Sequence, residues 1–172
     1  NTLFIEGNSE NFDSHESIAL PLLQTLRERA KAENLWALQV SKARGGGELP
    51  MVGMAACYEE MGRSLYGPVV FNSHAPDDGN MMLLEKVATD SQKDRWLQPL
   101  IDGLVWSSFA MTEPAPGSGS DPGGMMQTRA IKRGNKWEIR GHKWFISGAG
   151  VAGHFILVAR TSDHPRKGLT AF

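Results

Sequence analysis

The sequence has 172 residues, 18 basic and 19 acidic side chains and 41% apolar residues, which is typical of a globular protein rather than a disordered chain. The formal net charge of −1 gives no reason to expect a polyanionic partner, so we expect no nucleic-acid binding. No apolar run approaches the length of a membrane span. The single cysteine, Cys57, excludes a disulfide scaffold and suits a reducing compartment.

The two ends of the chain are unusual. The chain begins at Asn1 rather than at a methionine, no signal region follows, and Phe172 stands in what reads as the middle of a strand. We therefore expect both ends to be cuts within a longer protein.

Charge and glycine content change near residue 103. Residues 1–102 hold 9 Lys/Arg and 15 Asp/Glu, a net charge of −6, whereas residues 103–172 hold 9 and 4, a net charge of +5. Eleven of the 19 glycines lie in the second part. The change predicts two structural units, a helical domain over 1–103 and a β domain over 104–172.

The first part has apolar residues at helical spacing. The first helix is expected to begin near Leu20, because Pro21 fits a first turn, and residues 41–49 read as a loop. The second helix has a stripe of apolar residues, expected to be core, and an i,i+4 ion pair between Glu59 and Arg63. The stripe consists of Met51, Met54, Ala55, Tyr58 and Met61.

Two further helices are predicted before residue 103. Asp77 and Asp78 supply acidic caps for the third helix. Thr89 and Gln92 match a capping box for the fourth, whose apolar face should be buried and which Asp102 and Gly103 end. Four helices on one core predict a bundle-like unit.

After residue 103 the pattern changes to that of short strands, with Gly134 and Asn135 as a hairpin turn. The apolar run 154–159 reads as a strand buried on both faces. The fold class is therefore α+β, with a helical bundle-like domain followed by an incomplete antiparallel β barrel or sandwich. The predicted strands cover 107–111, 128–133, 137–140, 144–147, 154–159 and the last residues of the chain.

Common catalytic motifs are absent. The five histidines show no metal-ligand spacing, so we expect no metal site. No nucleophile elbow and no Walker loop is present. The Gly-Ser stretch at 117–120 is not a Rossmann loop, because Pro114, Pro116 and Pro122 disfavour the helix that this fingerprint requires.

Two segments remain as candidate binding elements. Residues 109–121 combine prolines with glycines and serines and could wrap phosphates through backbone N–H groups, or could form a plain surface connection. Residues 143–149 place Trp144 and Phe145 on opposite faces of a predicted strand. One ring could then face a ligand, or both could belong to the core.

Together these segments resemble the acyl-CoA dehydrogenases. The resemblance consists of a Thr-Glu-Pro…Gly-Ser-Asp stretch within 112–121 and a Gly-x-Lys-x-x-Ile-Ser-Gly stretch at 141–148. The helical half agrees in 59–64 and 91–103. The run 71–81 is most similar to the branch that, in animals, includes longer multidomain members.

The resemblance implies three domains, with FAD in a cleft between the middle β domain and a C-terminal four-helix bundle. It implies α,β-dehydrogenation of an acyl-CoA thioester, in which a carboxylate removes the α-proton while the β-hydrogen leaves as hydride to the flavin. The family's base is a glutamate of the C-terminal bundle, which this chain does not reach. We therefore expect no catalytic residue in this chain and an inactive fragment.

The resemblance also assigns roles to residues. Ser120 is expected near the pyrophosphate of FAD and near the acyl-CoA. Phe145 stands where the family commonly has tryptophan and loses the indole N–H, whereas Ser147 replaces threonine and keeps the hydroxyl. The expected cofactor-binding residues are Phe109, Met111, Thr112, Gly119, Ser120, Phe145, Ile146 and Ser147.

Glu113 is the only carboxylate within the flavin motif. We expect it to be structural, accepting backbone hydrogen bonds where the strand turns at Pro114.

The leading hypothesis is an FAD-dependent oxidoreductase of fatty acid metabolism. Alternatives are a flavin monooxygenase or oxidase on the same fold and a non-catalytic protein-binding module. The resemblance implies an electron-transfer flavoprotein as acceptor and a homo-oligomer when the protein is full length. A cytoplasmic location fits, as do the mitochondrial matrix and the peroxisome.

Overall fold

The computed structural model describes residues 20–123, 125–164 and 167–172, without the side chain of Leu20. The chain divides into two compact units, Asn1–Leu104 and Val105–Phe172. The described residues of the first unit form helices and those of the second form a sheet, and the α+β class is thereby confirmed.

The described part of the helical unit contains short helices, and the first two are joined by a long connection over residues 33–50. The last three segments follow one another without a break, so residues 90–101 form one helical run with a π-helical turn in the middle. The elements are α1 (Leu20–Ala32), a 3-10 turn (Lys42–Arg44), α2 (Met51–Met61), α3 (Gly67–Val70), α4 (Asp77–Val87), α5 (Asp90–Gln92), the π-helical turn (Lys93–Leu97) and α6 (Gln98–Ile101).

The methionine stripe of α2 supplies part of the core, as predicted. Met54 and Met61 are buried and pack with Leu38. The prediction is wrong for Met51, which is 60% exposed, and for Ala55, which is also exposed, and both lie outside this cluster. The predicted ion pair between Glu59 and Arg63 is wrong: Arg63 binds Glu60 at 2.9 Å instead. The reason is that α2 ends at Met61, so Arg63 is outside the helical register.

The predicted capping box of α5 is confirmed. The backbone N–H of Gln92 donates to Thr89 Oγ1, and the Gln92 side chain accepts the backbone N–H of Thr89. The prediction for α4 was wrong in its details, because the N-cap residue is Pro76 and the two aspartates lie inside the first turn. There they still face the positive end of the helix dipole.

The second unit is an open sheet in the order β1-β4-β2-β3, and β5 pairs with the second half of β4. The predicted hairpin turn is confirmed, because β2 and β3 pair across Gly134, which has a φ of +59°. The strands are β1 (Ser107–Ala110), β2 (Arg129–Arg133), β3 (Lys136–Arg140), β4 (His154–Arg160) and β5 (Leu169–Ala171).

The pairing is mixed rather than wholly antiparallel as predicted. β1 runs parallel to β4, and Arg129 pairs in parallel with Arg160, whereas β2–β3 and β4–β5 are antiparallel. The long crossover between β1 and β4 contains the β2–β3 hairpin, and a crossover of this kind permits parallel pairing. β4 is also less enclosed than predicted, since Phe155 is 43% exposed.

The predicted strand over 144–147 is absent. Phe145 has a φ of +51° and Gly148 a φ of +74°, so the segment leaves the extended conformation. Instead of a ladder, the segment makes individual hydrogen bonds to Ser108 of β1 and to Thr112, which follows β1.

Within the described ranges, the structure has neither a helix that could span a membrane nor a metal-ligand cluster. None of the helices there combines the length and the apolar character needed to cross a bilayer. Among the same residues, no three His, Cys, Asp or Glu side chains are grouped as metal ligands would be.

Candidate functional site

The site begins with β1, which is anchored to the segment 143–147. Ser108 is completely buried, and its hydroxyl donates to the carbonyl oxygen of Ser147 at 2.8 Å. A serine inside a strand gains little from burial unless its hydroxyl finds a partner, and here the partner is backbone. The hydrogen bond fixes the end of segment 143–147 beside the strand.

A second contact brings the start of the same segment beside the residues that follow β1. The backbone N–H of Trp144 donates to the carbonyl oxygen of Thr112 at 3.2 Å. The ammonium of Lys143 donates to the carbonyl oxygen of Met111 at 2.8 Å. The two predicted binding segments are therefore neighbours, although some thirty residues separate them in the sequence.

Glu113 lies at the centre of this arrangement with only 2% of its surface exposed. Its carboxylate accepts the backbone N–H groups of Gln127 at 2.6 Å and Thr128 at 2.8 Å. Lys143 Nζ lies 3.1 Å from the same carboxylate. The predicted structural role of Glu113, as an acceptor for backbone N–H groups, is confirmed.

The electrostatics of Glu113 follow from these contacts. Burial by itself raises the pKa of this carboxyl, but the Thr128 hydroxyl, the backbone N–H groups of Gln127 and Thr128, and the Lys143 ammonium together outweigh burial. The pKa of Glu113 is lowered to about 2. A carboxylate that is this acidic and this enclosed is a poor proton acceptor at neutral pH.

The loop after Glu113 folds back on it. The backbone N–H of Glu113 donates to the carbonyl oxygen of Gly119 at 3.1 Å, and the backbone N–H of Asp121 donates to the carbonyl oxygen of Ser118 at 3.1 Å. A Cβ at Gly117 would lie only 2.6 Å from Glu113 Oε2, so glycine is required where the loop passes the carboxylate. This closure brings Gly119 and Ser120 to the same region as Met111 and Thr112.

Two aromatic side chains stand at the surface of the segment. Phe145 is 82% exposed and Trp144 is 42% exposed, and their ring centroids are 4.6 Å apart. The prediction that the rings face opposite ways is wrong, because the positive φ of Phe145 interrupts the alternation of a strand. A large exposed aromatic pair on a strained backbone is typical of a binding surface.

The structure gathers all the predicted cofactor-binding positions onto these hydrogen-bonded segments. Ser120, Phe145 and Ser147 are exposed, whereas Phe109, Met111, Thr112, Gly119 and Ile146 are half-buried. Whether each of them contacts FAD stays a prediction.

Lys143 connects the two binding segments, a role that the sequence did not indicate. It belongs to the Gly-x-Lys stretch, but no role followed from the spacing alone. The glycine of the same stretch, Gly141, is explained by packing, because a Cβ there would collide with the side chain of Thr128. The signal in the sequence is the position of Lys143, two residues after this glycine and directly before two aromatics. That position could have indicated that the ammonium has a buried partner.

Comparison with known proteins identifies the family of this chain. The model of the N-terminal domain of acyl-CoA dehydrogenases matches residues 6–104, and the model of their middle domain matches residues 108–172. The chain belongs to the acyl-CoA dehydrogenase family. Membership supports an oxidoreductase of the flavoprotein kind.

Individual relatives agree with this assignment. Acyl-CoA dehydrogenase family member 11 of Gallus gallus is 42% identical over 130 residues, which are 76% of this chain and 16% of the relative. A solved structure described as an acyl-CoA dehydrogenase of Mycobacterium abscessus is 36% identical with a TM-score of 0.82, over 89% of this chain and 38% of that one. This chain therefore spans well under half of either relative.

A further solved structure, a glutaryl-CoA dehydrogenase from Mycobacterium smegmatis in complex with FADH2, is 26% identical. Its TM-score is 0.63, over 87% of this chain and 38% of that one.

Proposed function

We propose that the whole protein is an FAD-dependent enzyme that introduces an α,β double bond into an acyl-CoA thioester, and that this chain supplies part of its flavin site. The observation that carries the proposal is the hydrogen bond from Trp144 N–H to the carbonyl of Thr112. It brings together two segments that, in a chain of this family, are expected to contact the cofactor.

The residues at these segments fit FAD in chemical kind. The exposed Phe145 offers an aromatic surface for the isoalloxazine ring, and the exposed hydroxyl of Ser147 offers a hydrogen-bond donor. At Gly119 the φ is +58° and no atom lies within 4 Å of a Cβ position. Backbone without a side chain, next to the exposed hydroxyl of Ser120, suits a phosphate group.

The chemistry divides between the cofactor and the chain. FAD, when bound, would supply the two-electron oxidation of the acyl chain. Thr112 and Ser147 would orient the ring and stabilise negative charge at its edge, and Ser120 would lie near the pyrophosphate and the acyl-CoA. Glu113 is fully engaged with backbone donors and Lys143, so the proton acceptor must come from another part of the protein.

The proposal extends to partners. An electron-transfer flavoprotein would reoxidise the cofactor, and the full-length protein would assemble as a homo-oligomer.

The test is spectroscopic and uses the full-length protein. It should purify with a flavin absorbance, and anaerobic addition of a panel of acyl-CoA thioesters should bleach that absorbance with formation of an enoyl-CoA. A colourless protein that rejects added FAD would contradict the proposal. A flavin that turns over only with consumption of oxygen would indicate an oxidase or monooxygenase instead.

A further inference from the structure

Lys143 is enclosed to a degree that is rare for lysine. Only 8% of its side chain is exposed, and its ammonium reaches two groups, the carbonyl oxygen of Met111 at 2.8 Å and Glu113 Oε1 at 3.1 Å. A buried ammonium is costly unless it is paired and hydrogen-bonded. Both conditions are met here by residues that directly follow β1.

The anchor that Lys143 reaches is itself fixed. The Glu113 carboxylate also accepts the N–H groups of Gln127 and Thr128, which lead into β2. It is therefore tied to the residues just before β2 by two hydrogen bonds that do not involve Lys143. A lysine that is bound to such a carboxylate has its own backbone held at a set distance from it.

Segment 143–147 needs such a support, because it belongs to no strand. Phe145 and Gly148 both have positive φ, and the segment makes one hydrogen bond to Thr112 and one to Ser108. Lys143 stands at the start of the segment, directly before the two exposed aromatics. A small displacement of its backbone would move Phe145 and Ser147 relative to Thr112.

We propose that Lys143 is a positioning residue: through Met111 and Glu113 it sets the separation of segments 111–113 and 145–147, without touching the cofactor itself. The inference rests on the proposed function, because it assigns Lys143 to the same flavin site. It goes beyond the expected cofactor contacts, all of which lie on other residues.

A positioning role and a merely stabilising role have different consequences. A stabilising residue, when replaced, lowers the melting temperature and leaves the FAD affinity of the folded protein unchanged. A positioning residue, when replaced, changes FAD affinity and the flavin spectrum at temperatures at which the variant is fully folded. A residue that retains the charge should restore both.

The experiment compares Lys143→Met, Lys143→Arg and the matched control Lys136→Met in the full-length protein. Lys136 lies on β3 and is exposed. Three quantities are measured well below the melting temperature: the Kd for FAD, the flavin absorbance spectrum and, in the cofactor-free protein, the hydrogen exchange of the Trp144 amide. Should Lys143→Met not fold, Lys143→Gln, which keeps one donor, carries the same comparison.

We expect Lys143→Met to raise the Kd for FAD by about tenfold, to alter the flavin spectrum and to accelerate exchange of the Trp144 amide. Lys143→Arg should recover most of the affinity, and Lys136→Met should resemble the parent protein. Unchanged FAD affinity and unchanged Trp144 exchange in folded Lys143→Met would overturn the inference. Failure of the parent protein to bind FAD would instead overturn the proposed function, and the exchange measurement would still decide whether Lys143 holds the segment.

Discussion

The indole Nε1 of Trp36 donates to the carbonyl oxygen of Ile101 at 2.7 Å, joining the loop after α1 to the end of α6. Gly103 lies against the same ring: its φ is +73°, and a Cβ there would lie 2.8 Å from Trp36 Cζ2. Both the left-handed backbone and the contact disfavour any other residue at this position.

We expect Gly103→Ala to lower the free energy of unfolding of the helical unit by about 2 kcal/mol, as a strained φ and a clash with a buried ring would cause. Urea unfolding followed by far-UV circular dichroism measures the change. Gly79→Ala is the control, because Gly79 lies within α4 with no atom near a Cβ. That control should gain up to about 1 kcal/mol, and equal losses in both variants would contradict the explanation.

Asn72 has a polar side chain with almost no access to water. Its Nδ2 donates to the carbonyl oxygens of Leu100 at 2.9 Å and Ile101 at 3.3 Å, and the residue is 2% exposed. Asn72→Asp would place a carboxylate oxygen opposite two carbonyl oxygens and should lower the free energy of unfolding by about 3 kcal/mol.

The control for Asn72 is the other asparagine with a similar backbone. Asn34 has a φ of +57°, against +54° for Asn72, but it is exposed. Asn34→Asp should change stability by less than about 0.5 kcal/mol. If thermal unfolding shows the same loss for both variants, the backbone conformation and not the buried amide is responsible.

Glu113 makes the second unit sensitive to acid. Its pKa is about 2 in the folded protein, against an ordinary value of 4.5. A carboxyl whose pKa is lowered by folding contributes stability above its unfolded-state pKa and loses it as the pH falls through the folded-state value. The loss should therefore occur between about pH 4.5 and about pH 2 and amount to about 3 kcal/mol.

The variant Glu113→Gln should remove most of that dependence and be less stable than the parent at neutral pH. Urea unfolding at several pH values measures both effects. Asp163→Asn is the control, because Asp163 pairs with Arg129 at the surface and its side chain is 90% exposed. If the free energy of unfolding falls as steeply with decreasing pH in Glu113→Gln as in the parent protein, other carboxyls control acid unfolding.

Ser147 tests the proposed flavin contact without disturbing the scaffold. Its carbonyl oxygen accepts the Ser108 hydroxyl, and this hydrogen bond survives replacement by alanine because it uses backbone. Loss of one hydroxyl donor to FAD should weaken binding by roughly 2- to 10-fold. Fluorescence titration of the full-length protein with FAD measures the affinity, and Ser91→Ala, an exposed position on α5, should leave it unchanged. Unaltered affinity in Ser147→Ala would place the flavin contact elsewhere.

The sequence predicted the elements whose cause is local. The capping box at Thr89 and Gln92 and the hairpin turn at Gly134 depend on residues a few positions apart, and both form as expected. Glu113 was likewise assigned correctly as an acceptor, because a carboxylate next to a proline in a turning strand has few other uses.

Three of the failed predictions depend on distant partners. The segment 144–147 has the aromatic and β-branched composition of a strand, but its hydrogen bonds go to Thr112 and Ser108 rather than to a neighbouring ladder. Similarly, the parallel pairing of β1 with β4 is decided by the crossover between them, which no short-range pattern encodes. The neighbours of Lys143 in the sequence could indicate that it has a buried partner, but not that the partners are Met111 and Glu113, some thirty residues away.

The chain leaves Glu113 and returns to the oxygens of the same carboxylate at Gln127 and Thr128, so both ends of the connection between Glu113 and Gln127 are held at one side chain. Lengthening a loop whose ends are already fixed is inexpensive, because each doubling of length costs only roughly 0.6 kcal/mol of closure entropy. Insertions after Asp121, outside the contacts of Gly117 and Gly119 with Glu113, should therefore leave β1 and β2 where they are. In the proposed flavin site, this loop is thus the part whose length can change while the sheet beneath it remains the same.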